Sequence, residues 1–142
     1  MLCIYIEKWY NIMYNFENTL YLAESGNIMD FNEILTKIKA DENRVNQTFS
    51  GNMTLYQRFL KKFPDDSTYA SLCAAVDAGD TAQIEMGAHT LKGIAGNLGI
   101  GDLFALSTEL LAEVRNGNKD ITPTMEKLTA EYERVVSYIA QL

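Results

Sequence analysis

Proline is scarce in this 142-residue chain: Pro64 and Pro123 are the only two. So few breakers leave room for helices along most of its length. Cysteine is equally scarce. Cys3 and Cys73 make no metal-ligand spacing and no disulfide framework, and both sit among apolar residues as buried thiols do. Positive charge is short as well, with 12 Lys and Arg against 19 Asp and Glu and a formal net charge of −7. That balance argues against a nucleic-acid partner, because phosphate-backbone binders carry a clustered basic face. No apolar run reaches the roughly 18–20 residues that a membrane span needs, so no membrane partner is expected. The first residues, Met1-Leu2-Cys3-Ile4-Tyr5-Ile6-Glu7-Lys8, lack a basic n-region and a small-residue cleavage site, and a cytoplasmic location is expected.

Histidine is the scarcest chemistry-bearing residue, since His89 is the only one. One histidine with no carboxylate or thiol at ligand spacing makes a metal site unexpected. Gly93, Gly96, Gly99 and Gly101 spell neither GxGxxG nor a P-loop, so no nucleotide site is expected. Nothing points to a shaped pocket of the kind a Ser-His-Asp triad requires, and no cofactor or small-molecule substrate is expected.

What is present is ordinary for a globular domain, with 47% hydrophobic and 22% charged residues. Helical periodicity runs almost throughout. From Leu2 to about Glu24, the residues Leu2, Ile6, Trp9, Met13, Phe16 and Leu20 recur every three or four positions, and Ser25-Gly26-Asn27 then stops the pattern. Asp30-Phe31-Asn32-Glu33 reads as a capping box that opens a short helix to about Lys39. Residues 40–51 read as a polar loop in which Val45 and Phe49 dock on the body. Asn52 caps a helix to Phe63, Pro64 breaks it, and Asp65 and Asp66 restart it with Tyr69, Leu72, Cys73 and Val76 inward. Ala78-Gly79 ends that run.

Asp80-Thr81-Ala82-Gln83 reads as a second capping box and starts the helix that holds His89. Gly99-Ile100-Gly101 is a tight connection. Asp102 then caps a helix to about Asn116, with Leu103, Leu106, Leu110 and Val114 inward. Thr122-Pro123 supplies a cap followed by proline at the first helical position. The last helix turns Met125, Leu128, Tyr132, Val135, Val136 and Ile139 inward. Short links make antiparallel neighbours. The expected fold is all-α, an antiparallel up-down four-helix bundle over residues 29–142 with extra N-terminal helices. Residues 1–28 are either an amphipathic helix packed on the bundle or on a second copy, or an extension foreign to the domain.

On a helical wheel of residues 80–98, Ile84, Ala88, Leu91, Ala95 and Leu98 fall within about 80° of arc. His89 lies about 160° from Leu91. Ala82, Met86, Gly93 and Gly96 gather around it, and Lys92 is its neighbour one turn on. An imidazole open to water is a competent nucleophile in its neutral form. A phosphoryl group placed there stays solvated, and Lys92 can balance its charge. Each helix-interior glycine costs about 1 kcal/mol relative to alanine. The wheel turns Gly93 and Gly96 away from the buried stripe, so their expected use is to let another protein approach the ring.

His89-Thr90-Leu91-Lys92-Gly93, followed by Ala95, Asn97, Leu98 and Gly99, resembles the histidine-containing phosphotransfer (HPt) domain of bacterial multistep phosphorelays. Ala75, Ala78-Gly79-Asp80, Leu103, Leu106 and Leu110 fit the same pattern, and the resemblance covers roughly residues 36–142. It implies a four-helix bundle without ATP binding, a phosphocarrier and not an enzyme. His89 would be the phosphoacceptor, Lys92 would steady the phosphate, and Gly93 would admit the receiver. The implied partners are receiver domains of response regulators and of a hybrid histidine kinase, with the Mg²⁺ of the reaction on the receiver. Ala82, Glu85, Met86, Gly96 and Arg115 are the expected partner-binding residues, Arg115 and Lys92 making the face locally less negative. The chain departs from the family at Leu111, where many members carry Glu or Gln that can hydrogen-bond the imidazole.

Two rival readings use the same residues. One is the phosphoaccepting domain of a chemotaxis-type histidine kinase, which shares His-x-x-Lys-Gly but belongs to a longer chain with its own ATP site. The other is a non-catalytic helical scaffold that associates through its aromatic N-terminal segment.

Overall fold

Apolar residues spaced three and four apart close into helices from residue 31 onward. The structure, a computed structural model, describes residues 29–142. The helix expected over Leu2–Glu24, and Cys3 with it, lie outside the described residues. Along the described chain run α1 (Phe31–Lys37), α2 (Glu42–Phe49), α3 (Met53–Lys62), a 3₁₀ turn (Phe63–Asp65), α4 (Thr68–Ala78), α5 (Thr81–Asn97), α6 (Gly101–Arg115) and α7 (Thr122–Ile139). The only β pairing among the described residues is one isolated bridge between Ala40 and Ile100. The fold is all-α, as expected.

The bundle has four arms. The first is α3 and α4 in series, broken where Pro64 enters the 3₁₀ turn. The others are α5, α6 and α7, and α5 packs against both α4 and α6 while α7 packs on α6. Tyr69 of α4 stacks on Tyr132 of α7 with ring centroids 3.7 Å apart, which joins first arm to last. The Tyr69 hydroxyl also donates to Thr129 Oγ1 at 3.0 Å. Leu72, Leu91, Leu103, Leu110 and Leu128, one or two from each arm, meet in the buried centre. Cys73 is fully buried. Among the described residues no helix is long and apolar enough to cross a membrane.

Helix ends follow local chemistry, with corrections. Asn52 accepts from the Leu55 N–H at 3.0 Å, and Asp80 from the Gln83 N–H at 3.2 Å. Gly79 closes α4 in the left-handed region at φ 65°. At Asp30 the expected capping bond is not made. Asp102 is no cap either: Ile100 holds that position, and Asp102 pairs with Lys39 at 2.8 Å. Thr122 is already helical, with Ile121 at the cap and the Asp120 carboxylate accepting from the Thr122 N–H at 3.2 Å. Val76, Leu106 and Val136 turn inward as expected, half-buried and packed against the core.

The largest correction concerns residues 40–51. Most of them, Glu42–Phe49, form α2 and not a loop, with Asp41 capping the Arg44 N–H at 3.1 Å. Val45 and Phe49, one turn apart, do bury as expected. That single pair is too little pattern for a helix in isolation, and docking supplies the rest. The Asp41 N–H donates to the Gly99 carbonyl at 2.8 Å. Gly99 sits at φ 69°, and a Cβ there would stand 2.8 Å from Val45 Cγ2 and 3.1 Å from the Asp41 carbonyl oxygen. Tyr56, fully buried on α3, donates to the Leu98 carbonyl at 2.9 Å, so α3 is fastened to the same turn. Burial pushes its phenol above the ordinary tyrosine range, which keeps it a donor.

Gly99→Ala therefore combines left-handed backbone strain with a clash, and should lower stability by about 2–4 kcal/mol. Gly117→Ala, at φ 73° with open space where its Cβ would stand, is the control and should lose only about 1 kcal/mol. Guanidinium unfolding of the two variants checks this. Equal losses would mean that α2 does not press on the turn.

Candidate functional site

Helix α5 is built to hold one side of itself inward. Asp80 caps it, and Ile84, Ala88, Leu91 and Ala95 form its buried stripe. At its far end the Gly99 N–H donates to the Gly96 carbonyl at 3.2 Å and the Ile100 N–H to the Ala95 carbonyl at 2.9 Å, which stops the helix. His89 is consequently forced outward, one residue after Ala88 and two before Leu91, and it is exposed. Among the described residues no hydrogen bond or ion pair holds its ring. Leu111, where a polar partner for the ring could have stood, is 3% exposed and belongs to the core.

Gly93 lies one helical turn beyond His89. A Cβ added there would meet nothing within 4 Å. Ala82 and Met86 stand on the same face, and Met86 is 61% exposed, the largest value among the exposed large hydrophobics of the described residues. The Thr90 hydroxyl is turned back on the helix, donating to the Met86 carbonyl at 2.9 Å.

Three expected features stand differently. Gly96 does not open onto solvent as Gly93 does: a Cβ would come within 3.1 Å of the Phe104 ring, so Gly96 is a notch that receives α6. The wheel placed it correctly near His89 but carried no information on the neighbouring helix. Arg115 is not a spare cation. Its Nε donates to Glu85 Oε1 at 2.8 Å, so two expected partner-binding residues neutralise each other across α5 and α6. Lys92, half-buried, rests with Nζ 5.8 Å from the Phe104 ring centroid. A cation over an aromatic face gains about 0.5–1 kcal/mol at an exposed site. That hold is weak enough for the flexible stem to release it toward His89, its neighbour at i−3.

Phe104 was not singled out in the sequence, and neither was Arg44, whose guanidinium carbon lies 5.5 Å from the same ring centroid. Gly87 was missed too: a Cβ there would meet Leu72 at 3.2 Å, so it seats α5 against α4. No sequence signal marked it, because the contact depends on where α4 lies. Among the described residues no group of three His, Cys, Asp or Glu side chains is placed to hold a metal ion.

The arrangement is an open nucleophile on a rigid helix, with an adjustable cation one turn away and a bare patch of backbone beside it. Comparison with curated proteins found no match, and comparison with solved structures found none. A family model described as the Hpt domain matches residues 54–138, from the first turn of α3 to the last turn of α7. The match is narrower than the resemblance read from the sequence and leaves α1 and α2 outside it. It spans more than half of the chain and contains His89, Lys92 and Gly93. The chain belongs to the Hpt domain family, whose members are phosphocarrier modules of histidine–aspartate phosphorelays.

Proposed function

We propose that this chain takes a phosphoryl group onto His89 from the aspartyl phosphate of one receiver domain and passes it to the aspartate of another. The observation that carries this reading is the position of His89: exposed, unheld by any described residue, and next to a glycine with open space around it. The lone-pair nitrogen of the neutral imidazole forms the N–P bond as the bond from phosphorus to the aspartyl oxygen breaks. The carboxylate leaves with the bonding electrons, and the proton on the other ring nitrogen stays there to exchange with water. Onward transfer is the reverse displacement on a second carboxylate. Such transfers have loose transition states, so positioning and charge compensation supply most of the catalysis. His89 is the phosphoacceptor, Lys92 the charge-balancing cation, and Gly93 the opening through which the receiver reaches the ring.

The surrounding contact surface is assigned to Ala82, Met86 and the Glu85–Arg115 pair, while Gly96 serves it only by seating Phe104. Within this reading residues 29–142 are the functional unit and the chain is a carrier, not an ATP-using enzyme. The cytoplasm is the proposed location.

Incubation with an aspartyl-phosphorylated receiver in Mg²⁺ buffer should label the chain stoichiometrically. The label should be lost in acid and retained in base, as a phosphoimidazole requires. Absence of label with every receiver domain of the source genome would reject the reading.

A further inference from the structure

Helix α2 lies outside the family match, yet it brings a charge to the face of α5 that carries His89. Arg44 of α2 and Lys92 of α5 both lie within 6 Å of the Phe104 ring centroid. Neither makes an ion pair with a described carboxylate, whereas Lys39, Arg115 and Arg134 each do. Arg44 is exposed. The ring is seated in the notch at Gly96, which is two turns from His89 and about 20° from it around the helix. The separation along the axis is about 10 Å. A standard interface covers about 800 Å² of each partner, a disc about 30 Å across. A protein centred on His89 therefore reaches Lys92 and Phe104, and Arg44 stands toward its rim.

The chain as a whole is acidic, with a net charge of −7. An acidic partner would be repelled unless the contact face differs from the average. A receiver presents a phosphorylated carboxylate beside the carboxylates that hold its Mg²⁺, and is acidic at that point. We propose that Arg44 and Lys92, seated on Phe104, form the basic part of the docking surface that meets this acidic rim. The proposal rests on the His89 carrier reading and deepens it. The two cations divide the work. Lys92 can leave the ring for the phosphoryl group, being a point charge on a flexible stem. Arg44 keeps the ring, because a planar, weakly hydrated guanidinium stacks well and is held ready for a partner carboxylate. Arg44 touches no reacting atom, so it is a docking residue and not a catalytic one.

The test is the rate of phosphoryl uptake against receiver concentration, at two salt concentrations, for wild type, Arg44→Gln, Arg44→Glu and Arg44→Lys. Removing the charge should raise the half-saturating receiver concentration about three- to tenfold, and reversing it should raise it further. The rate at saturation should change less than about twofold, and the salt dependence should flatten. Arg44→Lys should recover most of the loss. Uptake by wild type together with unchanged half-saturation in Arg44→Glu overturns the assignment of Arg44 alone. A loss as large in Arg44→Lys as in Arg44→Glu overturns it too, since a structural role would give that pattern. Wild-type protein that accepts no phosphoryl group overturns the carrier reading, and the docking surface falls with it.

Discussion

His89→Gln should abolish phosphoryl uptake from a receiver, by at least about 1,000-fold, and leave the protein as stable as before. The two halves of that expectation have separate causes. Uptake depends on a nitrogen lone pair that attacks phosphorus, and an amide has no equivalent nucleophile. Among the described residues no other histidine exists to replace it, and the sequence contains none. Stability should hold because the ring is exposed and makes no hydrogen bond or ion pair with a described residue. Glutamine is also a slightly better helix former than histidine, by a few tenths of a kcal/mol. Receiver binding should persist, since docking uses the surface around the ring. Radiolabel transfer, thermal melting and a pull-down with the receiver measure the three quantities. Partial uptake by His89→Gln would place the acceptor elsewhere.

Gly93 gives the second large expectation, in which stability and activity move in opposite directions. A helix-interior glycine costs about 0.5–1 kcal/mol relative to alanine through backbone entropy. A Cβ at Gly93 meets nothing within 4 Å, so nothing offsets the gain from filling it. Gly93→Ala should raise Tm by about 2–4 °C. The same open space is where the receiver is proposed to approach. Gly93→Phe should weaken receiver-dependent uptake about 10- to 100-fold, the range expected when bulk is forced into a packed contact. Melting curves and uptake titrations on both variants check this. A Gly93→Phe protein with normal uptake would mean that the receiver does not dock over that turn.

Much of this was legible in the sequence, and the rest fails for identifiable reasons. The wheel put Leu91 inward and His89 outward because helix periodicity alone fixes that relation. Asn52, Asp80 and Gly79 announced their helix ends because a cap is a local bond between near neighbours. Helix α2 was not legible: Val45 and Phe49 are its only buried apolar residues, and its anchor is a carbonyl at Gly99, far along the chain. Gly96 was placed on the right face but given the wrong surroundings, because a wheel contains no second helix and therefore no Phe104. Arg115 looked free until Glu85, 30 residues earlier, came beside it. Asp102 looked like a cap because it precedes an apolar run, but the turn at Gly99 starts the helix earlier and leaves its carboxylate for Lys39. Contacts between elements distant in sequence account for each of these misses.

The most direct test of the carrier account is a relay followed through both of its transfers. A receiver carrying labelled phosphate on its aspartate is mixed with the chain, the labelled chain is isolated, and a second receiver is added. The account predicts that the label moves to the peptide containing His89 and then to the second receiver, leaving His89 unmodified. Label that reaches any other residue of the chain, or that leaves His89 only as inorganic phosphate, would contradict it.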